Sequence, residues 1–256
     1  MEQANEVAPP GWGADSLSQF LELAQQNTWA TFVQLQDEYA HLRKIDSIFR
    51  ILSGSTFNES DCLEVLFLQR ACMAYLGAVR LVMAVELAEA YMVLRGCLES
   101  SLYGFYVHKN PESGKRWLSR HESQKSLIDV KKEFQFGKLR SFLEKTDQPT
   151  SQAVEKLYNR TIDYGAHPNE RAFTSNLELT RQDGAVQFDQ VSPSNNPVPL
   201  KACLKSTAEI GLCSLLIFKL IFTTRFELLD LPNQLERLKH ELIKPRRSSV
   251  ILNAKR

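Results

Sequence analysis

Residues 62–106 have the sequence CLEVLFLQRACMAYLGAVRLVMAVELAEAYMVLRGCLESSLYGFY. This stretch predicts helix, and it is apolar around nearly the whole circumference of that helix. A helix that is apolar on every side is surrounded by other helices. At about 1.5 Å per residue, one unbroken helix would be about 65 Å long, which is too long for a domain of this size. We therefore predict a break near Val82–Ala84, which gives two central helices.

Amphipathic sequence precedes this central stretch. Apolar residues recur at helical spacing from Leu17 to Leu52, which predicts a helix with one buried stripe. Ser16 and Gln19 form a capping box at its start. Gly54 is placed to end it.

Further elements follow the central stretch. Residues 115–145 predict two or three short helices, and residues 151–164 predict another. Alternating residues around Asp-Gly over 174–191 predict a β-hairpin. A long apolar helix over about 200–229 and a short helix over about 232–243 complete the pattern.

These elements indicate an all-α fold, a single-domain helical bundle of about 7–9 helices with a small β-hairpin excursion near 174–191. We expect a flexible lead over 1–14 and the bundle over 15–243. The bundle includes a hairpin and loop excursion at 168–199, and a basic flexible tail covers 244–256. A loop of that length inside a domain is typical of a functional or disordered segment.

The charge is distributed unevenly along the chain, although 31 basic and 30 acidic residues give a net charge of +1. Residues 1–64 carry 3 basic and 10 acidic side chains, a net charge of −7. Residues 109–145 carry 10 basic and 5 acidic side chains, and residues 235–256 carry 7 basic and 2 acidic side chains, so each of these two blocks has a net charge of +5. Separated blocks of opposite sign can attract a polyanion to one face or pair two subunits.

The cysteines and the apolar windows favour a cytoplasmic protein. The five cysteines are an odd number and form no CxxC pair, which is typical of reduced thiols. The first fifteen residues lack the apolar region of a signal peptide. The most apolar window, Ile210–Phe222, is too short to span a bilayer and contains Lys219, so we expect a core helix and no membrane partner.

The motifs of several catalytic classes are absent from the sequence. It contains no phosphate-binding GxxxxGK[ST] loop, no GxGxxG after a strand, no HExxH, no GxSxG, no EF-hand loop and no paired ExxH. The histidines are scattered: His41, His108, His121, His167 and His240. We therefore expect neither a metal nor a cofactor.

The first candidate site lies on the second central helix. Arg95 and Glu99 are four residues apart on one face, and Tyr91, Tyr103 and Tyr106 fall near the same stripe. A charged pair within a core helix costs several kcal/mol per ion unless it is well partnered. The pair therefore indicates a polar ligand pocket, a structural ion pair or a subunit contact.

The second candidate site is YNRTIDYGAHPN, residues 158–169, at a predicted helix C-terminus. This end of a helix favours a protonated histidine, and histidine titrates near neutral pH. Arg160 can bind a phosphate bidentately, His167 can move a proton and Asp163 can orient either of them. The alternative is a helix cap held by side-chain hydrogen bonds.

Two segments carry a family resemblance, Arg95-Gly-Cys-Leu-Glu99-Ser and, later in the chain, Asp163-Tyr-Gly-Ala-His167-Pro-Asn169. With them the chain resembles a group of bacterial helical proteins near the HEPN (higher eukaryote and prokaryote nucleotide-binding) superfamily. HEPN proteins are helical bundles, commonly dimeric, and many are metal-independent ribonucleases of toxin–antitoxin or phage-defence systems. Their motif, an arginine and a polar residue followed by a histidine, is matched by Arg160-Thr161 and His167. The resemblance implies that His167 is the acid/base and that Arg160 stabilises the phosphate.

Two functions of different classes follow from these observations. In the first, a dimeric helical protein binds RNA or a nucleotide and cleaves RNA without a metal, with Arg160 and His167 catalytic. Arg95, Glu99, Asp163, Tyr164, Asn169 and Tyr103 support the site. In the second, the same bundle is a non-catalytic dimeric interaction protein. A pocket for a small ligand beside Arg95 and Glu99 is a further alternative.

Overall fold

The computed structural model describes residues 8–55, 57–166, 177–182, 185–190 and 197–243. The fold is all-α with one small hairpin, as predicted. The α-helices are α1 (Ser16–Gln34), α2 (Gln36–Ser53), α3 (Cys62–Met83), α4 (Leu87–Lys109), α5 (Pro111–Leu118), α6 (Gln124–Glu133), α7 (Phe136–Glu144), α8 (Gln148–Thr161), α9 (Pro197–Ile221), α10 (Thr223–Leu228) and α11 (Leu231–Ile243). A 3₁₀ turn covers Glu59–Asp61, and a π-helical segment covers Ile162–Ala166.

The hairpin consists of β1 (Leu177–Gln182) and β2 (Ala185–Gln190). The two strands pair antiparallel from Leu177 opposite Gln190 to Gln182 opposite Ala185. The prediction of a hairpin is therefore confirmed, although Asp183 and Gly184 lie outside the described residues.

The break within the central stretch lies where the sequence predicts it. Helix α3 ends at Met83 and α4 begins at Leu87. Between them Val85 adopts a φ of 69°, and the Glu86 amide donates to the Leu81 carbonyl at 2.9 Å. A left-handed conformation reverses the chain, which lets α3 and α4 pack side by side along the centre of the bundle.

The hydrophobic core lies around α3, α4 and α9. Leu94, Leu98 and Phe105 of α4 and Phe218 of α9 are fully buried. Gly211 permits the close approach of α9 to α3, because a Cβ atom there would lie 2.6 Å from Cε2 of Tyr75. Burial of such side chains stabilises the fold by about 1.5–3 kcal/mol each.

The long helices predicted at the two ends of the chain are each broken. The upstream helix is interrupted at Leu35, with φ −124° and ψ 45°, and the downstream helix at Phe222, with φ −108° and ψ 41°. These breaks raise the number of helices above the 7–9 predicted. Gly54 does follow the last residue of α2, as predicted.

Helix α1 differs most from its prediction. Its expected buried stripe is largely exposed, with Leu17 66% and Leu21 45% accessible, although Thr31 of that stripe is buried as predicted. The capping box is formed by Asp15 and Ser18 and not by Ser16 and Gln19. The prediction was wrong because helical spacing identifies an apolar face but not whether the protein's own core covers that face.

One helix within the described ranges, α3, is long and apolar enough to cross a membrane by length and composition. In the bundle, 44% of its most apolar window is buried. The core helices of water-soluble proteins meet the same criterion.

Candidate functional site

Arg160 lies in the last turn of α8 and reaches across to α9. The start of α8 is fixed by Asp147, whose carboxylate accepts the Thr150 amide at 3.0 Å. Nη1 of Arg160 donates to Oγ of Ser206 at 2.9 Å and to Oε2 of Glu209 at 2.5 Å. The side chains of Arg160 and Glu209 are each 25% exposed, so the ion pair is only partly screened by water.

Ser206 links this ion pair to α4. The hydroxyl of Tyr91 donates to Oγ of Ser206 at 3.1 Å, and Ser206 in turn donates to the Ala202 carbonyl at 2.9 Å. Burial raises the pKa of the Tyr91 phenol, which keeps it protonated as a donor. The network therefore holds the Arg160 guanidinium between three helices, α4, α8 and α9.

The π-helical segment that follows α8 places Tyr164 over α4. The Tyr164 ring stacks on the Tyr91 ring, with centroids 5.4 Å apart and an interplanar angle of 29°. The buried Gly165 makes this approach possible, since a Cβ atom there would lie 2.7 Å from Cβ of Tyr91. Single π-helical turns occur frequently at functional sites.

These groups surround a cavity of about 480 Å³, which we call the Arg160 cavity. Its lining includes three cations, one carboxylate, two tyrosines, a serine and four apolar residues: Lys156, Arg160, Lys205, Glu209, Tyr91, Tyr164, Ser206, Leu87, Val198, Pro199 and Ala202. A volume of this size, apolar walls and a few converging polar groups are typical of ligand sites. With a net charge of +2 from these side chains, the cavity favours an anion.

Arg160 retains hydrogen-bonding capacity toward the cavity. Within the described residues only its Nη1 donates, to Ser206 and Glu209. A guanidinium has five N–H donors in a rigid plane. Nε and Nη2 therefore remain available to bind a planar or tetrahedral oxyanion.

Arg95 and Glu99 form a separate cluster on α4. Nε of Arg95 donates to Oε1 of Glu99 at 2.8 Å, and the Tyr158 hydroxyl donates to the same oxygen at 3.2 Å. The Arg95 guanidinium lies 5.0 Å from the centroid of the Tyr158 ring, on which the Phe136 ring stacks at 3.5 Å. Arg95 and Glu99 are 30% and 36% exposed, so the pair is half-buried between helices and not inside the core.

The two sequence-predicted sites are neighbours without a shared cavity. Tyr158 and Arg160 are two residues apart on α8, which places them about 200° apart around its axis. Tyr158 therefore faces Glu99, while Arg160 faces Ser206 and Glu209. Neither Arg95 nor Glu99 lines the Arg160 cavity.

Of the other predicted site residues, Tyr164 and Asp163 lie at or beside the Arg160 cavity and Tyr103 does not. Tyr164 lines the Arg160 cavity, and Asp163 lies beside it in the π-helical segment. Tyr103 does not line this cavity, and its hydroxyl donates to the Phe134 carbonyl at 3.3 Å. His167 and Asn169 lie outside the described residues.

Sequence reasoning missed several residues that line the Arg160 cavity. Ser206 and Glu209 are separated from Arg160 by 46 and 49 positions along the chain, and no motif links them. Lys205 lies four residues before Glu209, with Nζ and Oε1 3.7 Å apart, so it was missed together with Glu209.

No group of three histidine, cysteine, aspartate or glutamate side chains that could hold a metal ion is found in the part of the chain that the structure describes. Comparison of the chain with family models, curated proteins and solved structures finds no match.

Proposed function

We propose that the protein binds RNA or a nucleotide through a phosphate in the Arg160 cavity and cleaves RNA without a metal. The observation that carries this proposal is that Arg160, Lys156 and Lys205 line one cavity with a single carboxylate, Glu209. Arginine and lysine side chains bind nucleic acids mainly through the phosphate groups.

The fixed orientation of Arg160 supports phosphate binding. The bonds to Ser206 and Glu209 hold one edge of the guanidinium, so little side-chain entropy is lost when a ligand binds the other edge. Glu209 competes with the ligand for the same cation, and this competition favours a ligand that carries a full negative charge.

The aromatic pair supports a ligand that includes a base. Tyr164 is half-buried, stacks on Tyr91 and lines the Arg160 cavity. Stacking of a base on an aromatic side chain contributes about 1–3 kcal/mol in single-stranded nucleic-acid complexes. A phosphate at Arg160 and a base against Tyr164 together define a nucleotide.

The basic block over 109–145 supports a longer polyanion. Part of its charge is neutralised internally, because Lys115 pairs with Glu112 at 2.7 Å and Arg116 pairs with Glu133 at 2.6 Å. Lys131 and Lys132 are exposed and have no acidic partner among the described residues. Such cations contact phosphates by a salt-dependent, sequence-independent attraction.

The cleavage step rests on the resemblance to HEPN ribonucleases. His167 would accept the proton of a ribose 2′-hydroxyl as that oxygen attacks the adjacent phosphorus, and would return a proton to the departing 5′-oxygen. Arg160 would stabilise the negative charge that develops on the phosphate oxygens. The P–O5′ bond would break as the P–O2′ bond forms, leaving a 2′,3′-cyclic phosphate and a 5′-hydroxyl, and the step requires no metal or cofactor.

A second candidate function is that of a non-catalytic dimeric interaction protein. The exposed apolar side chains of α1 favour it, since Leu17, Trp29 and Val33 are 66%, 61% and 69% accessible. Apolar surface of this kind is typical of contact sites between proteins.

Fluorescence anisotropy with a labelled single-stranded RNA tests binding. We expect Arg160→Gln to weaken binding about 10-fold or more, because a charged hydrogen bond contributes about 1.5–3 kcal/mol. Arg140→Gln is the matched control, because Arg140 is also partly buried and ion-paired, with Glu144 at 3.2 Å and Glu155 at 3.6 Å, but does not line the cavity. Equal affinity of the Arg160→Gln variant and the unmodified protein would contradict the proposal.

Cleavage is measured separately, on the same RNA in the presence of EDTA. We expect the unmodified protein to cleave and His167→Ala to bind RNA without cleaving it. RNA that is bound but left intact by the unmodified protein would reduce the proposal to binding alone. A dimer by light scattering that neither binds nor cleaves RNA would support the interaction protein instead.

A further inference from the structure

A second cavity lies at the other end of α4 and has a volume of about 550 Å³. Its walls come from residues around the 3₁₀ turn, from the end of α4 and from the junction of α9 with α10. Leu87 lines the Arg160 cavity and His108 lines this one. Since these residues are 21 positions apart on one helix, the two cavities are about 30 Å apart. We call the second one the Arg225 cavity.

Arg225 provides a fixed cation in this cavity. Its guanidinium lies 4.1 Å from the centroid of the Phe57 ring, and its Nη1 donates to Oγ of Ser55 at 2.9 Å. Ser55 is itself held by a 2.6 Å bond to the Leu52 carbonyl. Arg225 is half-buried and has no carboxylate partner within the described residues, so Nε and Nη2 are available to a ligand.

A half-buried cation without a charged partner is unfavourable unless an anion binds to it and forms an ion pair. The planar fork of a guanidinium matches the two oxygens of a carboxylate. The stacking of Arg225 on Phe57 orients this fork before any ligand arrives.

The other polar groups of the cavity limit the charge that it accepts. Asp61 lines it, and His108 is turned toward Glu64, with Nδ1 and Oε1 3.5 Å apart. The Asp61 carboxylate in the lining repels a ligand with two negative charges more strongly than a ligand with one. A singly charged ligand is therefore favoured over a phosphate dianion.

The remaining lining is mixed, because Asn58, Thr223 and Thr224 are polar and four further residues are apolar. Ile221, Phe222 and Leu229 line the cavity together with Leu228, which is 82% exposed. An apolar ligand body placed here would remove the Leu228 side chain from water, which contributes about 25 cal/mol per Å² of buried apolar surface.

We propose that the Arg225 cavity binds a small monocarboxylate with an apolar body, the carboxylate on Arg225 and the body against Phe222, Leu228 and Leu229. This site is separate from the RNA function proposed above and uses none of its residues.

Isothermal titration calorimetry on the full chain, with four ligands at pH 8, tests this inference. Hexanoate carries both features, acetate lacks the apolar body, hexanamide lacks the charge, and hexyl phosphate carries the second negative charge. We expect hexanoate to bind and each of the other three to bind about 10-fold more weakly or not at all. Equal binding of hexanamide, tighter binding of hexyl phosphate or no binding of hexanoate would overturn the proposal.

Variants identify the site. We expect Arg225→Gln to weaken hexanoate binding about 10- to 100-fold, while Arg237→Gln, an exposed arginine on α11, leaves it unchanged. Thr224→Trp fills the cavity from an exposed position and keeps the test decisive if Arg225→Gln fails to fold. Hexanoate binding that survives both Arg225→Gln and Thr224→Trp in folded protein would refute the site.

The RNA assay separates the two proposals. Arg225→Gln is expected to bind RNA as the unmodified protein does, and Arg160→Gln is expected to bind hexanoate. Failure of the RNA proposal would therefore leave the result for hexanoate intact, and failure of the hexanoate proposal would leave the result for RNA intact.

Discussion

Gly165 lies directly against Tyr91, and a Cβ atom at position 165 would come within 2.7 Å of Cβ of Tyr91. This contact joins the π-helical segment to α4 and so positions Tyr164 on the wall of the Arg160 cavity. The identity of one glycine therefore sets the shape of the candidate site.

We expect Gly165→Ala to lower the free energy of unfolding by about 1–3 kcal/mol, because the added methyl group overpacks a rigid contact with α4. Urea denaturation followed by circular dichroism measures this change. Gly96→Ala is the control, since a Cβ atom at Gly96, which lies on α4 itself, meets nothing within 4 Å. That variant should gain about 0.5–1 kcal/mol from helix propensity, and an equal loss in both variants would contradict the close contact at Gly165.

We expect Glu209→Gln to strengthen RNA binding several-fold at low salt. The substitution removes the carboxylate that competes for Arg160 and raises the net charge of the cavity by one. Glu155→Gln makes the same charge change at a side chain that is 50% exposed and that pairs with Arg140 outside the cavity. Anisotropy titrations at two salt concentrations should show the gain for Glu209→Gln, and weaker binding by that variant would count against a ligand phosphate at Arg160.

The five cysteines should differ sharply in reactivity. Cys62 is exposed, whereas Cys72, Cys97, Cys203 and Cys213 are buried. Burial raises the pKa of Cys97, Cys203 and Cys213 to about 12, so these thiols hold their protons at the pH of an alkylation assay. Mass spectrometry after brief iodoacetamide treatment at pH 8 should show one modified site in the native protein and five after denaturation. Rapid native alkylation of Cys203 would contradict the packing of α9 against α4.

The raised pKa of these three thiols also predicts that the fold loses stability at alkaline pH. Their pKa rises from 9.0 in the unfolded reference to about 12 in the fold, so above pH 9 the unfolded chain loses protons that the native chain keeps. The free energy of unfolding should therefore be unaffected by these groups below pH 9 and should fall as the pH rises from 9 toward 12. Thermal melts over this range test the sign, and Cys213→Ala should reduce the dependence on pH. An unchanged slope in that variant would show that Cys213 makes no contribution.

The arrangement of the core could be predicted from residues 62–106 because burial on all sides leaves a local mark in the sequence. The break after Met83 followed from the length of that stretch alone. The exposure of α1 could not be predicted in the same way, since Leu17 and Leu21 have helical spacing whether or not another element covers them.

The candidate site could be predicted only in part, for a related reason. Arg160 and Tyr164 were found because they lie close together in one short segment. Their partners Ser206 and Glu209 are on α9, and tertiary packing alone determines that α8 and α9 meet at that point. The depth of the Arg95–Glu99 pair was overestimated because apolar neighbours along a helix do not show which side of it faces water.

Tyr164 and Val198 line the same cavity, although the chain between them includes the whole hairpin. Two positions that flank the hairpin in the chain therefore lie at one place on the bundle. An insertion whose two ends lie together can be exchanged for a short linker at little cost in loop-closure entropy. A variant in which a short linker replaces the chain between Tyr164 and Val198 would therefore bridge two points on the lining of the Arg160 cavity.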